Sequence, residues 1–175
     1  MPTPDFILSL REKIGHELLW LPGATAVVLH EGRVLLGRRS DNGNWAPITG
    51  IVDPGEEPAA TAVRECEEEA GVLCEVEALA AVKAGGEVVF PNGDRCRFLD
   101  HTFRCRWISG DPRVNDDEST AVGWFDLEQL PPLREDLLER IRAAVDYDGT
   151  TRFSTYPGAS EDPTGSHDAS GRTGR

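Results

Sequence analysis

Glu65, Glu68 and Glu69 stand at i, i+3 and i+4, the spacing that puts side chains on one face of an α-helix. Like charges so close repel one another, and carboxylates late in a helix face the negative end of its dipole. The segment therefore asks for a compensating cation. A hard divalent ion suits it, because Mg²⁺ prefers carboxylate and water oxygens. Arg64, the preceding residue, can pair with a carboxylate and fix its orientation. On spacing alone, a merely solvated acidic face accounts for the run equally well.

The helix that must carry these acids is marked at both ends. Pro58 suits a first helical turn, where its missing N–H costs nothing, and Gly71 suits the position just past the last turn. Ala59, Ala62, Val63, Cys66 and Ala70 recur at helical spacing and form an apolar stripe facing a core.

The wider pattern is G-x5-E-x7-R-E-U-x-E-E-x-G-U, with U apolar. Gly50, Glu56, Arg64, Glu65, Glu68, Glu69 and Gly71 fill the fixed positions, and Cys66 and Val72 the apolar ones. Seven such matches arise by chance on the order of 10⁻⁸ to 10⁻⁹ per window at average residue usage. This is the complete signature of the Nudix box at residues 50–72, and the chain resembles the Nudix hydrolase family of MutT-like proteins over roughly residues 20–146.

The resemblance implies an α/β fold, an α/β/α sandwich around a mixed β-sheet. It implies a Mg²⁺-dependent hydrolase, with Mn²⁺ as a substitute. Water attacks phosphorus in a nucleoside diphosphate linked to another moiety: a nucleotide, a nucleotide sugar or a nucleoside triphosphate. Glu65, Glu68 and Glu69 would bind metal together with the Gly50 carbonyl. Arg64 would orient the glutamates, and Glu56 would hold loop and helix together or reach metal through water. Glu65 or Glu68 would be the general base. The alternative reading is a Nudix-fold sensor that binds a nucleotide without hydrolysis. Such a protein usually has a damaged acidic box or an added DNA-binding domain, and here every acid of the box is present.

Outside the box, Asn115-Asp116-Asp117-Glu118 precedes Val122-Gly123-Trp124-Phe125, which resembles the family's acidic loop before a Trp-containing strand. Glu118 is the first choice for a further catalytic or metal-binding acid, with Asp117 next and Asp116 expected to point elsewhere. Arg38 and Arg39 are adjacent on a strand and so face opposite sides. Arg39 is the one assigned to a substrate phosphate. Trp45 either stacks on a base or caps the core. The family commonly has Pro-Gly-Gly where this chain has Ile48-Thr49-Gly50, so a different loop path is expected there. No further signature singles out a substrate.

The rest of the chain sets limits. With 175 residues, one domain is expected. Lys and Arg number 18 against 31 Asp and Glu, a net charge of −13, which weighs against nucleic-acid partners and anionic membranes. No stretch reaches the roughly 20 apolar residues of a membrane span, and the first residues lack a secretory pattern. A cytoplasmic protein acting on a small nucleotide derivative is expected, and by family habit a homodimer. The four cysteines have no C-x-x-C spacing and are read as reduced thiols.

Three segments follow: an N-terminal helical extension over 1–19, the Nudix domain over 20–148, and a flexible tail over 149–175. In the tail 16 of 27 residues are Gly, Pro, Ser or Thr, too few apolar groups to offset ordering. It is expected to be mobile from about Gly158, with Phe153 and Tyr156 the residues able to dock. Within the domain, 24–30 and 33–38 read as a hairpin and 39–57 as a loop. Residues 73–83, 86–90, 95–107 and 121–126 read as strands, and 127–130 and 133–145 as helices.

Overall fold

The computed structural model describes residues 3–90 and 92–155. Helix α1 (Asp5–Ile14) precedes strands β1 (Leu19–His30), β2 (Arg33–Arg39), β3 (Trp45–Ala46) and β4 (Ile48–Ile51). Helix α2 (Pro58–Ala70) is followed by β5 (Leu73–Ala84), β6 (Val88–Val89), β7 (Arg95–Ser109) and β8 (Ser119–Asp126), and the series ends on α3 (Glu135–Val145). The strands form one mixed sheet, ordered β3-β2-β1-β7-β5, with β4 also on β1, β6 on β7 and β8 on β2. β1 and β7 are parallel, and the remaining pairs are antiparallel.

β1 is the spine. From Gly23 to Val28 every residue is buried, because a helix covers each face. Ala24, Ala26 and Val28 pack with Ala62, Cys66 and Ala70 of α2, while Val27 packs with Ile141 and Ala144 of α3. The apolar stripe of α2 thus packs on the sheet, with Ala62, Cys66 and Ala70 buried and Ala59 and Val63 partly buried against them. The helix ends on Gly71 at φ +64, a left-handed conformation that glycine adopts without Cβ strain.

The segment 39–57, expected as a loop, holds the two short strands β3 and β4. Pairing of Ala24 with Gly50, Thr25 with Thr49 and Ala26 with Ile48 draws Ile48-Thr49-Gly50 into the sheet. An extended backbone suits threonine, so the missing glycine at position 49 is accommodated by pairing.

The expected helix over 127–130 is a turn, and α3 begins only at Glu135. Pro131 and Pro132 explain the delay: each lacks an N–H, and the residue before a proline avoids helical angles. A buried polar network then fixes α3 to the sheet. Asp100 accepts from the Thr25 hydroxyl at 2.7 Å, the Thr102 hydroxyl at 2.6 Å and Arg140 Nη1 at 2.9 Å. The expected N-terminal extension is docked on the domain. Ile7 is buried with Leu21 and Cys96, and Arg11 donates to the Arg95 carbonyl at 2.8 Å. All four cysteines are free and buried.

The first residues of the expected flexible tail pair with the sheet edge. Arg152 N–H donates to Ala80 at 2.8 Å, Val82 N–H donates to Arg152 at 2.9 Å, and the Thr151 hydroxyl donates to Leu79 at 2.8 Å. Phe153 is 72% exposed and does not dock. Tyr156 and the rest of the expected tail lie outside the described residues. Each edge hydrogen bond contributes about 0.5–1.5 kcal/mol net. A chain ended after Asp148 should therefore melt about 5 °C below one ended after Thr155. Thermal unfolding of the two truncations checks this, and coincident curves would show that the edge pairing adds no stability.

Candidate active site

The site grows from the loop that leads into α2. Glu56 N–H donates to the Asp53 carbonyl at 2.9 Å, which folds the loop back. The Thr61 hydroxyl then donates to Glu56 Oε2 at 2.7 Å. Arg64 meets the same carboxylate with two parallel bonds, Nε to Oε1 at 2.9 Å and Nη2 to Oε2 at 3.0 Å. Its remaining nitrogen, Nη1, donates to Glu65 Oε1 at 2.8 Å and Glu68 Oε2 at 3.0 Å. One guanidinium thus ties three of the box acids into a single unit. Hydrogen bonding to Arg64 holds the Glu56 carboxyl down at about 2, and Glu56 in turn pushes Arg64 above its usual range.

Glu65 and Glu69 are treated differently by their surroundings. Glu65 is 2% exposed and Glu69 6% exposed. Burial raises Glu65 to about 7 in spite of Arg64. Burial first, then the charges of Glu65 and Asp116, raise Glu69 to about 8, against the pull of Arg39. Glu68 keeps its side chain 46% exposed. Gly50 explains how Glu65 fits, because a Cβ built there would overlap the Glu65 carboxyl group. Only glycine leaves room for that approach.

Around this core the structure distributes the other expected residues. Arg39 lies on the side of Glu69 and feels its charge, but its guanidinium is held by Asp41, with bonds of 3.0 and 2.9 Å. Arg38 turns the other way and donates to the Gly43 carbonyl at 3.0 Å. Trp45 belongs to the core on the α3 side, edge to face with Phe125 at 4.7 Å. Glu118 sits at the mouth of β8, where its carbonyl accepts from Ser40 N–H at 2.7 Å.

Asp116 turns back on its own loop. Its carboxylate accepts from Glu118 N–H at 3.0 Å and adds to the charge felt by Glu69. Thr61 and Asp41 were missed as partners of Glu56 and Arg39. Their nearness in sequence, five and two positions away, was the available signal.

Among the described residues no three Asp, Glu, His or Cys side chains form a ready-made cage for a cation. The donor set nevertheless fits a hard divalent ion. Two buried carboxylates whose charged forms burial penalises gain most from such an ion, and Mg²⁺ typically takes only one or two carboxylates, completing its shell with water and substrate oxygens.

A box of this geometry, on a mixed sheet held between helices, defines a class of proteins, and comparison with known sequences agrees. The NUDIX domain model matches residues 20–146, and the chain belongs to that family. A MutT-like protein of Streptomyces ambofaciens is 35% identical over 107 residues, 61% of this chain and 64% of that protein. The human 8-oxo-dGDP phosphatase NUDT18 is 33% identical over 150 residues, 82% of this chain and 43% of that protein. This chain thus spans less than two thirds of the length of either relative. Among solved structures, a MutT NUDIX hydrolase from Burkholderia pseudomallei superposes with a TM-score of 0.56 at 31% identity, covering 71% of this chain and 98% of that one.

The two raised carboxyls make stability depend on pH. Glu65 and Glu69 hold their protons more tightly folded than at their ordinary value of 4.5. Their contribution to stability is therefore complete below that value and is lost as pH rises through about 7 and 8. Glu56 runs the other way, stabilising above 4.5 and losing its effect only toward pH 2. In chelator, the thermal midpoint should fall between about pH 5 and pH 8, and Glu69→Gln should flatten the slope. Melting curves across that range check it, and an equal slope in both proteins would remove Glu69 as its source.

Proposed function

We propose that the chain is a divalent-metal-dependent pyrophosphohydrolase acting on a small nucleoside diphosphate derivative. The observation that carries this is the pair of buried carboxylates, Glu65 and Glu69, gathered on the α2 face beside Gly50. Buried acids without a cation are costly, and a polyanionic substrate would be repelled by them. In this reading Glu65, Glu69 and the Gly50 carbonyl would hold the ion. The bound ion, Mg²⁺ or Mn²⁺, neutralises phosphate charge and polarises the P–O bond.

The protein's own residues divide the remaining work. Glu68, half exposed and tethered to Arg64, is the carboxylate able to take a proton from water and pass it to solvent. Arg64 holds Glu65 and Glu68 through one shared nitrogen and sets how each is turned. Arg39, released from Asp41, supplies a cation for a substrate phosphate. One relative is named an 8-oxo-dGDP phosphatase and another a MutT-like protein; the first name supports a nucleotide substrate of this general kind.

A panel of nucleoside diphosphate derivatives with Mg²⁺, with products read by mass, tests the proposal. Hydrolysis should stop in excess chelator and return with Mg²⁺ or Mn²⁺. Glu68→Gln should lower kcat by about 10²- to 10⁴-fold with Mn²⁺ affinity kept. Glu69→Gln should lose Mn²⁺ affinity itself. Turnover in chelator with bound metal ruled out, or Glu68→Gln at wild-type rate, would overturn the assignment of the ion or of the base respectively.

A further inference from the structure

The last carbonyls of an α-helix have no partner within it. In α2 they are also the negative end of the dipole, beside Glu68 and Glu69, where further negative charge is least welcome. Gly71 N–H takes the Glu67 carbonyl at 3.0 Å. The loop that follows β7 takes the rest. Asn115 Nδ2 donates to the carbonyls of Glu67 and Glu68, both at 3.1 Å, and Asn115 N–H donates to the Glu69 carbonyl at 3.2 Å. Arg113 N–H donates to the Ala70 carbonyl at 3.0 Å.

The loop is pinned on both sides of this contact. Trp107 Nε1 donates to the Gly110 carbonyl at 3.0 Å, and Gly110 lies against the Gly71 carbonyl at φ +94, where a Cβ would collide. Beyond Asn115, Asp116 accepts from Glu118 N–H, and the Glu118 carbonyl accepts from Ser40 N–H. Asn115 supplies side-chain donors to the helix end. The other donors are main chain and do not depend on residue type.

We propose that Asn115 is a positioning residue for the metal-dependent reaction. Its amide and main-chain N–H fasten the last turn of the carboxylate helix, at Glu67, Glu68 and Glu69, to the acidic loop that continues into Asp116, so that helix end and loop are held at a fixed separation. The residue type follows from this task. An amide offers two N–H donors on a short stem, whereas aspartate would aim oxygens at two carbonyl oxygens. The inference rests on the metal site proposed above.

Mn²⁺ binding to the purified full chain without nucleotide, followed by electron paramagnetic resonance, tests it beside the melting midpoint in chelator. Groups that orient metal ligands typically contribute about 10- to 100-fold in affinity or activity. Asn115→Ala should therefore bind Mn²⁺ about tenfold more weakly, and Asn115→Asp more weakly still. For a substrate that is turned over, kcat should fall while KM stays within about twofold. Combined with Asp116→Asn, the losses in Mn²⁺ affinity should be less than multiplicative, because both changes release the same acid.

Asn115 variants that melt lower yet keep wild-type Mn²⁺ affinity would overturn the inference, leaving only a structural cap, and so would losses that multiply. Glu69→Gln separates the two levels. If it binds Mn²⁺ like wild type, the reading of the site fails and this inference with it. If it loses binding while the Asn115 variants keep theirs, the inference alone fails.

Discussion

Arg64 is the interaction on which the rest of the site depends. A guanidinium has five N–H donors in a rigid plane, and here that plane is shared between a loop acid and two helix acids. The bidentate bond to Glu56 sets where the loop meets α2. The third nitrogen sets how Glu65 and Glu68 are turned. Lysine would supply the same charge as a single point and could not hold the three in register. The partly buried setting of the group, 26% exposed, reduces the screening that makes surface ion pairs weak.

The sheet supplies the other half of the constraint. β1 is buried on both faces, so its neighbours are fixed by close packing and leave little play for β4. Through β4, Gly50 is held where only a residue without a side chain admits Glu65. A helix placed by its apolar stripe and a strand placed by its ladder thus press one carboxylate out of water. The energetic penalty of that burial is what makes a cation welcome.

How much of this was legible in the sequence varied with how local the signal was. The α2 boundaries, its buried stripe and the hairpin after His30 follow from periodicity and turn residues a few positions apart. The family could be inferred because its signature is contiguous. The short strands at 45–46 and 48–51 were not legible, since pairing decides them, with Gly37 and Arg38 for the first and with residues some 25 positions away for the second, while Gly, Pro and Asn content argues for a loop. The helix expected at 127–130 is a turn, cut short by Pro131 and Pro132. Asn115 was seen only as the neighbour of three acids, and its role as a cap depends on a loop meeting a helix nearly fifty residues earlier. Trp45 stood between two roles that sequence cannot separate, and packing against Phe125 places it in the core.

The edge at β5 carries a consequence for assembly. An open strand edge is a template on which another copy of a chain can pair. Here the strand is broken by irregularities near Val76–Ala78 and Leu79–Ala81, studded with Glu75, Glu77 and Lys83, and met by Arg152 from the same chain. Each of these spoils the flat, unpaired ladder that sheet extension between copies requires. Joining two copies of this protein into one continuous sheet across β5 is therefore disfavoured.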